Sequence, residues 1–444
     1  MGVKVGLVSL GCPKNLVDSE TMLGLLKGAG FTITNQEQEA DVLIVNTCSF
    51  INESKEESIG TILDLARYKD GGSCRAIVVA GCLAQRYPQE LMDEMPEIDC
   101  LLGTGAVPEV VRAVQAALAG EKLCLAGAPG YLQETSLPRM QSTPPYTAYL
   151  KIAEGCDNRC SYCVIPSIRG PYRSRTIEDV EEEAQQLASG MVKEVVLVAQ
   201  DTTRYGFDRY GKPALAALLK RLAAIDGLIW LRVLYTYPSL ISDELVEIIA
   251  SENKVCRYLD LPLQHASQSV LAQMNRRGSK EETLRFVEKL RSAIPGITLR
   301  TTFITGFPGE TEADLMELMD FMKAVRFDRV GIFAYSQEEN TPAAGMPGQI
   351  PEAVKLERRE HLMALQQEIS LERNKQKTGS VLPVLIEGIH LHKPGVFVGR
   401  SEGDAPVIDG KVFVRSELQL APGDFVQVLV SGASEYDLTG ELIK

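Results

Sequence analysis

The chain has 444 residues, 45% of them hydrophobic, with 46 basic against 59 acidic side chains, a formal net charge of −13 and a pI near 5.1. That length predicts two to four domains, no apolar run reaches the roughly 18 residues of a membrane span, and the N-terminus lacks a signal-peptide layout, so a cytoplasmic protein is expected. The acidic balance argues against a chain that grips phosphate backbones, DNA included, and permits a basic protein partner. From 1 to about 120, the runs "VKVGLVSL", "ADVLIVNT" and "AIVVAG" read as buried parallel strands, alternating with helical patterns such as "SETMLGLLKGAG", with Gly30 as its cap. This predicts an open α/β domain. Residues 121–144, rich in Gly, Pro, Ser and Thr, read as a linker.

From about 145 to 375 the alternation is longer and more regular. The strands read "TAYLKIAEG", "EVVLVAQ", "WLRVLYTY", "RYLDLPLQ", "ITLRTTFITG" and "RVGIFAYS", and helices follow most of them. Six β/α units predict a partial (β/α)6 barrel, since eight would close a full one. A charged helix over about 351–377 leads out. Residues 376–444 change to short strands broken by Gly, Pro and Asp, as in a small antiparallel β-barrel. The expected fold class is thus α/β with a C-terminal β-barrel.

Ten cysteines in a cytosolic chain are ligands, catalysts or buried thiols before they are disulfides. Three lie within "GCDNRCSYCVIP": Cys156, Cys160 and Cys163, spaced C-x3-C-x2-C directly after the first barrel strand. Chemistry in β/α barrels gathers at that end of the strands. A structural zinc would want a fourth ligand, and the next cysteine downstream is Cys256. Three buried thiols are a further reading, although "DNR" and "SY" are not core sequence. Three thiolates on an iron–sulfur cluster would leave one iron open to a cofactor.

The spacing, with Tyr162 before the last cysteine, resembles the cluster motif of the radical S-adenosylmethionine superfamily. The resemblance implies a 4Fe–4S cluster whose open iron is chelated by the amino and carboxylate groups of S-adenosylmethionine, and an electron from it that yields a 5′-deoxyadenosyl radical. It also implies that Gln200 and Asp201, at the end of the second barrel strand, contact the amino group of S-adenosylmethionine. "TTFITGFPGET", with Gly306 and Gly309, would lie along its adenosyl part, where glycine lets backbone approach closely. Thr311 caps the next helix. His265 reads as a hydrogen-bonded structural histidine. Arg169, Arg173 and Arg175 read as solvated, with bidentate capture of a carboxylate as the sharper alternative.

Cys12, Cys48 and Cys82 each follow an apolar strand of the N-terminal domain. Far apart in sequence, they hold one topological position, the strand ends where open α/β sheets bind ligands. The other four cysteines show no such pattern. Together with the C-terminal domain, which resembles TRAM, this arrangement resembles the methylthiotransferases over nearly the whole chain. The resemblance implies a second 4Fe–4S cluster on Cys12, Cys48 and Cys82, acting as the source or carrier of sulfur.

One branch of that family modifies adenosine in tRNA; another modifies the β-carbon of an aspartate in the small-subunit ribosomal protein S-twelve. Pro13-Lys14-Asn15 and Gln264-His265-Ala266 resemble the second branch, where the tRNA branch tends toward Gln-Met-Asn and Gln-Ser-Gly. From 378 to 444, five Lys or Arg stand against nine Asp or Glu, a net of −4. An acidic module suits a basic ribosomal protein, and Asp404, Asp409 and Glu417 are expected to dock it at the barrel mouth. The expected activity is methylthiolation of that aspartate, with S-adenosylmethionine as both radical source and methyl donor and tRNA modification as the alternative. The sequence names neither the electron donor nor the sulfur donor.

Overall fold

The computed structural model describes residues 2–443. The N-terminal sheet is built from β1 (Lys4–Ser9), β2 (Thr32–Ile33), β3 (Val42–Thr47), β4 (Ala76–Gly81), β5 (Cys100–Leu102) and β6 (Leu123–Leu125). All pair in parallel, in the order β2-β1-β3-β4-β5-β6. β3 and β4 are buried at every residue, which is why they read as unbroken apolar runs. β6 falls within the stretch expected to be a linker, and the rest of that stretch is pinned to α1 (Pro13–Gly28). Thr21 Oγ1 donates to Gln133 Oε1 at 3.0 Å, and Arg139 pairs with Glu20 and Glu183 at 2.5 and 2.7 Å.

β7 (Thr147–Lys151) is followed by a short antiparallel pair, β8 (Ala153–Glu154) with β9 (Arg173–Ser174), that closes one large loop. Then come β10 (Glu194–Val198), β11 (Trp230–Val233), β12 (Tyr258–Gln264), β13 (Thr298–Thr305) and β14 (Arg329–Ala334). The six long strands form an open barrel of two parallel three-stranded sheets, β11-β10-β7 and β12-β13-β14. A single bridge, Leu231 to Val255, joins them. Alternate residues face opposite ways: Val195, Leu197, Leu231 and Val233 pack outward under the helices, while Val196, Val198, Trp230 and Leu234 face the lumen.

β15 (Val381–Ile389), β16 (Val396–Ser401), β17 (Val412–Arg415), β18 (Phe425–Ala433) and β19 (Leu438–Leu442) close the C-terminal barrel in the order β15-β16-β17-β19-β18. An odd number of strands in a ring cannot all run antiparallel to both neighbours. The one parallel contact falls between β17 and β19.

An open barrel leaves its lumen to be filled from outside, and both flanking domains fill it. Val17 of α1 and Leu385 and Ala405 of the C-terminal barrel share one apolar cluster with the lumen residues. Trp230 meets Phe425 edge-on with centroids 4.7 Å apart. The charges follow the same plan. Glu194 is clasped by Arg232 at 3.0 Å and by Arg400 at 2.6 Å; Arg329 holds Asp404 at 2.7 Å; Tyr258 donates to Asp409 at 2.7 Å. This corrects the expected docking surface. Asp404 is 1% exposed, and both aspartates serve the contact between domains, near the strand starts, at the end of the barrel away from its mouth. Glu417 alone of the three is exposed.

Burial by itself would raise the Glu194 carboxyl, but the Arg400 and Arg232 guanidiniums outweigh it and hold it down to about 2. Its contribution is therefore complete above its ordinary 4.5 and is lost as pH falls through about 2. Glu194→Ala strands two buried guanidiniums and should cost about 3–5 kcal/mol, read as a lower urea midpoint at pH 7. The gap from the unsubstituted chain should narrow as pH drops below 4.5.

Candidate metal centres at the domain seam

Cys156, Cys160 and Cys163 lie in the loop between β8 and β9. Cys156 N donates to Gly170 O and Cys163 N to Cys160 O, each at 3.1 Å, and Ser161 N donates to Met274 O at 3.0 Å. Asn158 Nδ2 reaches Asp201 Oδ2 at 2.9 Å. These bonds fix a loop that has little regular structure of its own. Tyr162 packs beside Met274, Phe307 and Tyr335. Arg276, missed in the sequence, donates to Cys160 Sγ at 3.7 Å and stacks on Tyr237, 4.5 Å from its centroid. Burial pushes the thiols of Cys156 and Cys163 up to about 11 and about 12.

In the N-terminal domain Cys12 caps α1, Cys48 follows β3, and Cys82 opens α2 (Cys82–Arg86). The fold brings these three strand ends together. A Cβ placed on Gly11 would stand 2.8 Å from Cys48 Cβ, and Cys12 and Cys48 both lie close enough to Cys82 to raise its thiol. Burial lifts the Cys82 thiol to about 12 against the pull of Arg169. Asn15 ties the site together, donating to Leu10 O at 2.8 Å and Thr47 O at 3.1 Å.

A shared device appears at three of the six thiols. Gly11, Gly81 and Gly155 precede Cys12, Cys82 and Cys156 and have φ of 84°, 94° and 83°, which only glycine adopts freely. A Cβ would meet Asn46 Oδ1 at 2.3 Å on Gly81 and Pro171 O at 2.1 Å on Gly155. The repeated Gly-Cys was the available sequence signal.

The N-terminal thiol site and the helix that follows Cys163 meet at a buried ion network. Arg169 ends the short helix Ile165–Arg169 that follows Cys163 directly. Its guanidinium contacts Asp18 Oδ2 at 2.6 Å, Asn15 Oδ1 at 3.0 Å, Glu154 Oε2 at 3.2 Å and Cys82 Sγ at 3.6 Å. Lys151 pairs with Asp18 and, at 2.8 Å, with Glu154, and Gln200 Nε2 donates to Glu154 Oε1 at 2.6 Å. Val164 and Ile168 pack on Cys82. One helical turn thus links the two sites.

Gln200 sits at the seam, and its Oε1 is buried without a donor. The Asp201 carboxylate is engaged by Thr203 Oγ1 at 2.6 Å and by Asn158. Gly306 is crowded by the stem of Lys355, 2.3 Å from where its Cβ would be, and Gly309 lies against Gln273. Arg169 and Arg175 are buried rather than solvated; they grip carboxylates of this chain, Arg175 pairing with Asp179 and Glu183. Arg173 bonds backbone carbonyls of Pro171 and Tyr131. His265 is buried and accepts at Nδ1 from Ser267 N at 3.0 Å, while burial pushes it down to about 4. Thr311 caps its helix in a capping box with Asp314.

The donor chemistry fits iron–sulfur clusters. Each set offers three thiols and an arginine aimed at one sulfur. Among the described residues no three His, Cys, Asp or Glu side chains converge on a point that would hold a single metal ion; three thiolates that each bind a different iron of one cluster need not converge. Gly155→Ala should disrupt the loop between β8 and β9 and spare the other site. Loaded anaerobically, that variant should bind about half the iron of the unsubstituted chain; full iron would contradict the role given to Gly155.

Residues 4–103 match the family described as uncharacterized protein family UPF0004, residues 150–322 the radical SAM superfamily and residues 378–443 the TRAM domain. The chain is 66% identical to the ribosomal protein uS12 methylthiotransferase RimO of Pelotomaculum thermopropionicum over the full length of both. It is 53% identical to the RimO of Desulforamulus reducens, over 99% of each chain. Its fold is similar to that of the radical S-adenosylmethionine methyltransferase TsrM from Kitasatospora setae, solved with cobalamin and a [4Fe-4S] cluster, with a TM-score of 0.56 at 15% identity over 92% of this chain and 82% of that one. No helix among the described residues is long and apolar enough to cross a membrane. The chain belongs to the RimO family of radical S-adenosylmethionine methylthiotransferases.

Proposed function

We propose that this chain places a methylthio group on the β-carbon of an aspartate in ribosomal protein uS12, using one 4Fe–4S cluster on Cys156, Cys160 and Cys163 and a second on Cys12, Cys48 and Cys82. The observation that carries the reading is the meeting of two three-thiol sets at the Arg169 seam. Its substrate follows the name of relatives that match the chain from end to end. When bound, the core cluster with S-adenosylmethionine supplies radical chemistry able to break an unactivated C–H bond, a second S-adenosylmethionine supplies the methyl group, and the other cluster supplies sulfur.

The chain's own residues hold and tune these groups. Arg276 and Arg169 each donate toward a thiol sulfur, and hydrogen bonds to cluster sulfurs shift the reduction potential. Gln200 Oε1, buried and without a donor, would accept from the amino group of S-adenosylmethionine. Asp201 orders the cluster loop through Asn158, and Tyr162 walls the site with its ring. The backbone of Gly306 to Gly309 would run along the adenosyl part. Electrons must come from a donor outside the chain.

Replacing Cys156, Cys160 and Cys163 together by Ala should abolish cleavage of S-adenosylmethionine. Replacing Cys12, Cys48 and Cys82 together should retain cleavage and abolish sulfur insertion, with 5′-deoxyadenosine and the mass of uS12 as the two readouts. The unsubstituted chain should bind about eight irons, two four-iron clusters. Product formed by the second triple variant would refute the division of labour, and methylthiolated tRNA in place of uS12 would refute the substrate.

A further inference from the structure

Lys14 is a buried cation without a carboxylate partner. It is 8% exposed, and no carboxylate among the described residues pairs with its ammonium, which lies 3.3 Å from the centroid of the Tyr235 ring. Its near neighbours are the ring and hydroxyl of Tyr235 and the thiol of Cys12; a ring face attracts a cation but does not neutralise it, and a carboxylate would add a charge-assisted hydrogen bond. The neighbouring carboxylates are already taken. Asp18 and Glu154 are shared by Lys151 and Arg169, and Asp260 accepts from Tyr235 N and Arg300 Nη1.

Lys14 is in the first turn of α1, two residues after Cys12. Tyr235 lies just past the carboxyl end of β11, held at φ 61°, and so presents its ring on the side of the barrel where the cysteine loop lies. The ammonium therefore stands at the seam on the side of the N-terminal thiols.

We propose that Lys14 receives the carboxylate of the substrate aspartate, and so holds the adjoining β-carbon in reach of both sites. This rests on the functional reading above. The aspartate β-carbon is one bond from its carboxylate, so fixing the carboxylate limits the carbon to a small arc. An asparagine in its place would leave the ammonium unpaired, and a site built around one buried charge rejects such an analogue. S-adenosylmethionine also carries a carboxylate. Lys14 neighbours Cys12 and not the Cys156–Cys163 loop, which favours the aspartate.

The test measures equilibrium binding of uS12, with its target aspartate intact or changed to asparagine, to the cluster-loaded chain in the presence of S-adenosylmethionine. The unsubstituted chain should prefer aspartate by roughly ten- to hundredfold. Lys14→Met should bind both forms alike, at the level of the unsubstituted chain on the asparagine form, and Lys14→Arg should keep the preference. A preference that survives in Lys14→Met overturns the proposal and leaves the functional reading standing. If Lys14→Met instead loses affinity for S-adenosylmethionine while keeping the preference, the ammonium belongs to the cofactor's carboxylate and the proposal is likewise overturned. Failure of the unsubstituted chain to bind uS12 at all would overturn the functional reading itself.

Discussion

Arg169 sits inside the protein with its guanidinium shared among Asp18, Asn15, Glu154 and the thiol of Cys82. Its carboxylate partners come from two domains, and neither domain could bury its own share alone. Remove the N-terminal domain, and Lys151 and Arg169 keep only Glu154. Remove the barrel, and Asp18 has no cation. Such networks add little net stability over apolar packing but penalise every arrangement that leaves a charge unmatched. Here the penalised arrangements are those in which the two thiol sets slide apart.

The same logic runs through the barrel. Six strands leave a lumen open to solvent, and Glu194, Arg232, Asp260, Arg300 and Arg329 line it. The C-terminal barrel supplies Arg400, Asp404 and Asp409 at one end, and α1 supplies Asp18 at the other. The central domain is thus completed from both sides, and the thiols sit where the N-terminal insertion meets the strand ends. Lys14 departs from this pattern in having no carboxylate partner among the described residues, which is what singles it out.

Much of this was legible in the sequence, for physical reasons. β3 and β4 stood out because both faces are buried, and the six barrel strands because each is four residues or longer and is followed by helix or turn residues. β2, β5 and β6 are too short to form an apolar run, so β6 passed for linker. The six cysteines could be singled out by spacing and by their place after strands. The Gly-Cys repeat needed φ values to be understood. Arg169, Arg175, Asp404 and Asp409 misled because charge in a sequence reads as surface; only the assembled domains show that each has a buried partner. Arg276 lay far from the cysteines in the chain, and no local pattern marks an arginine that reaches a sulfur 116 positions away.

The central claim is that two clusters stand side by side at this seam. Paramagnetic resonance of the dithionite-reduced, fully loaded chain tests it most directly. Two reduced clusters one helical turn apart should couple, giving a spectrum broadened beyond the sum of those from the two triple-cysteine variants, each with one cluster. A spectrum equal to that sum would place the clusters too far apart to act on one carbon and would contradict the account.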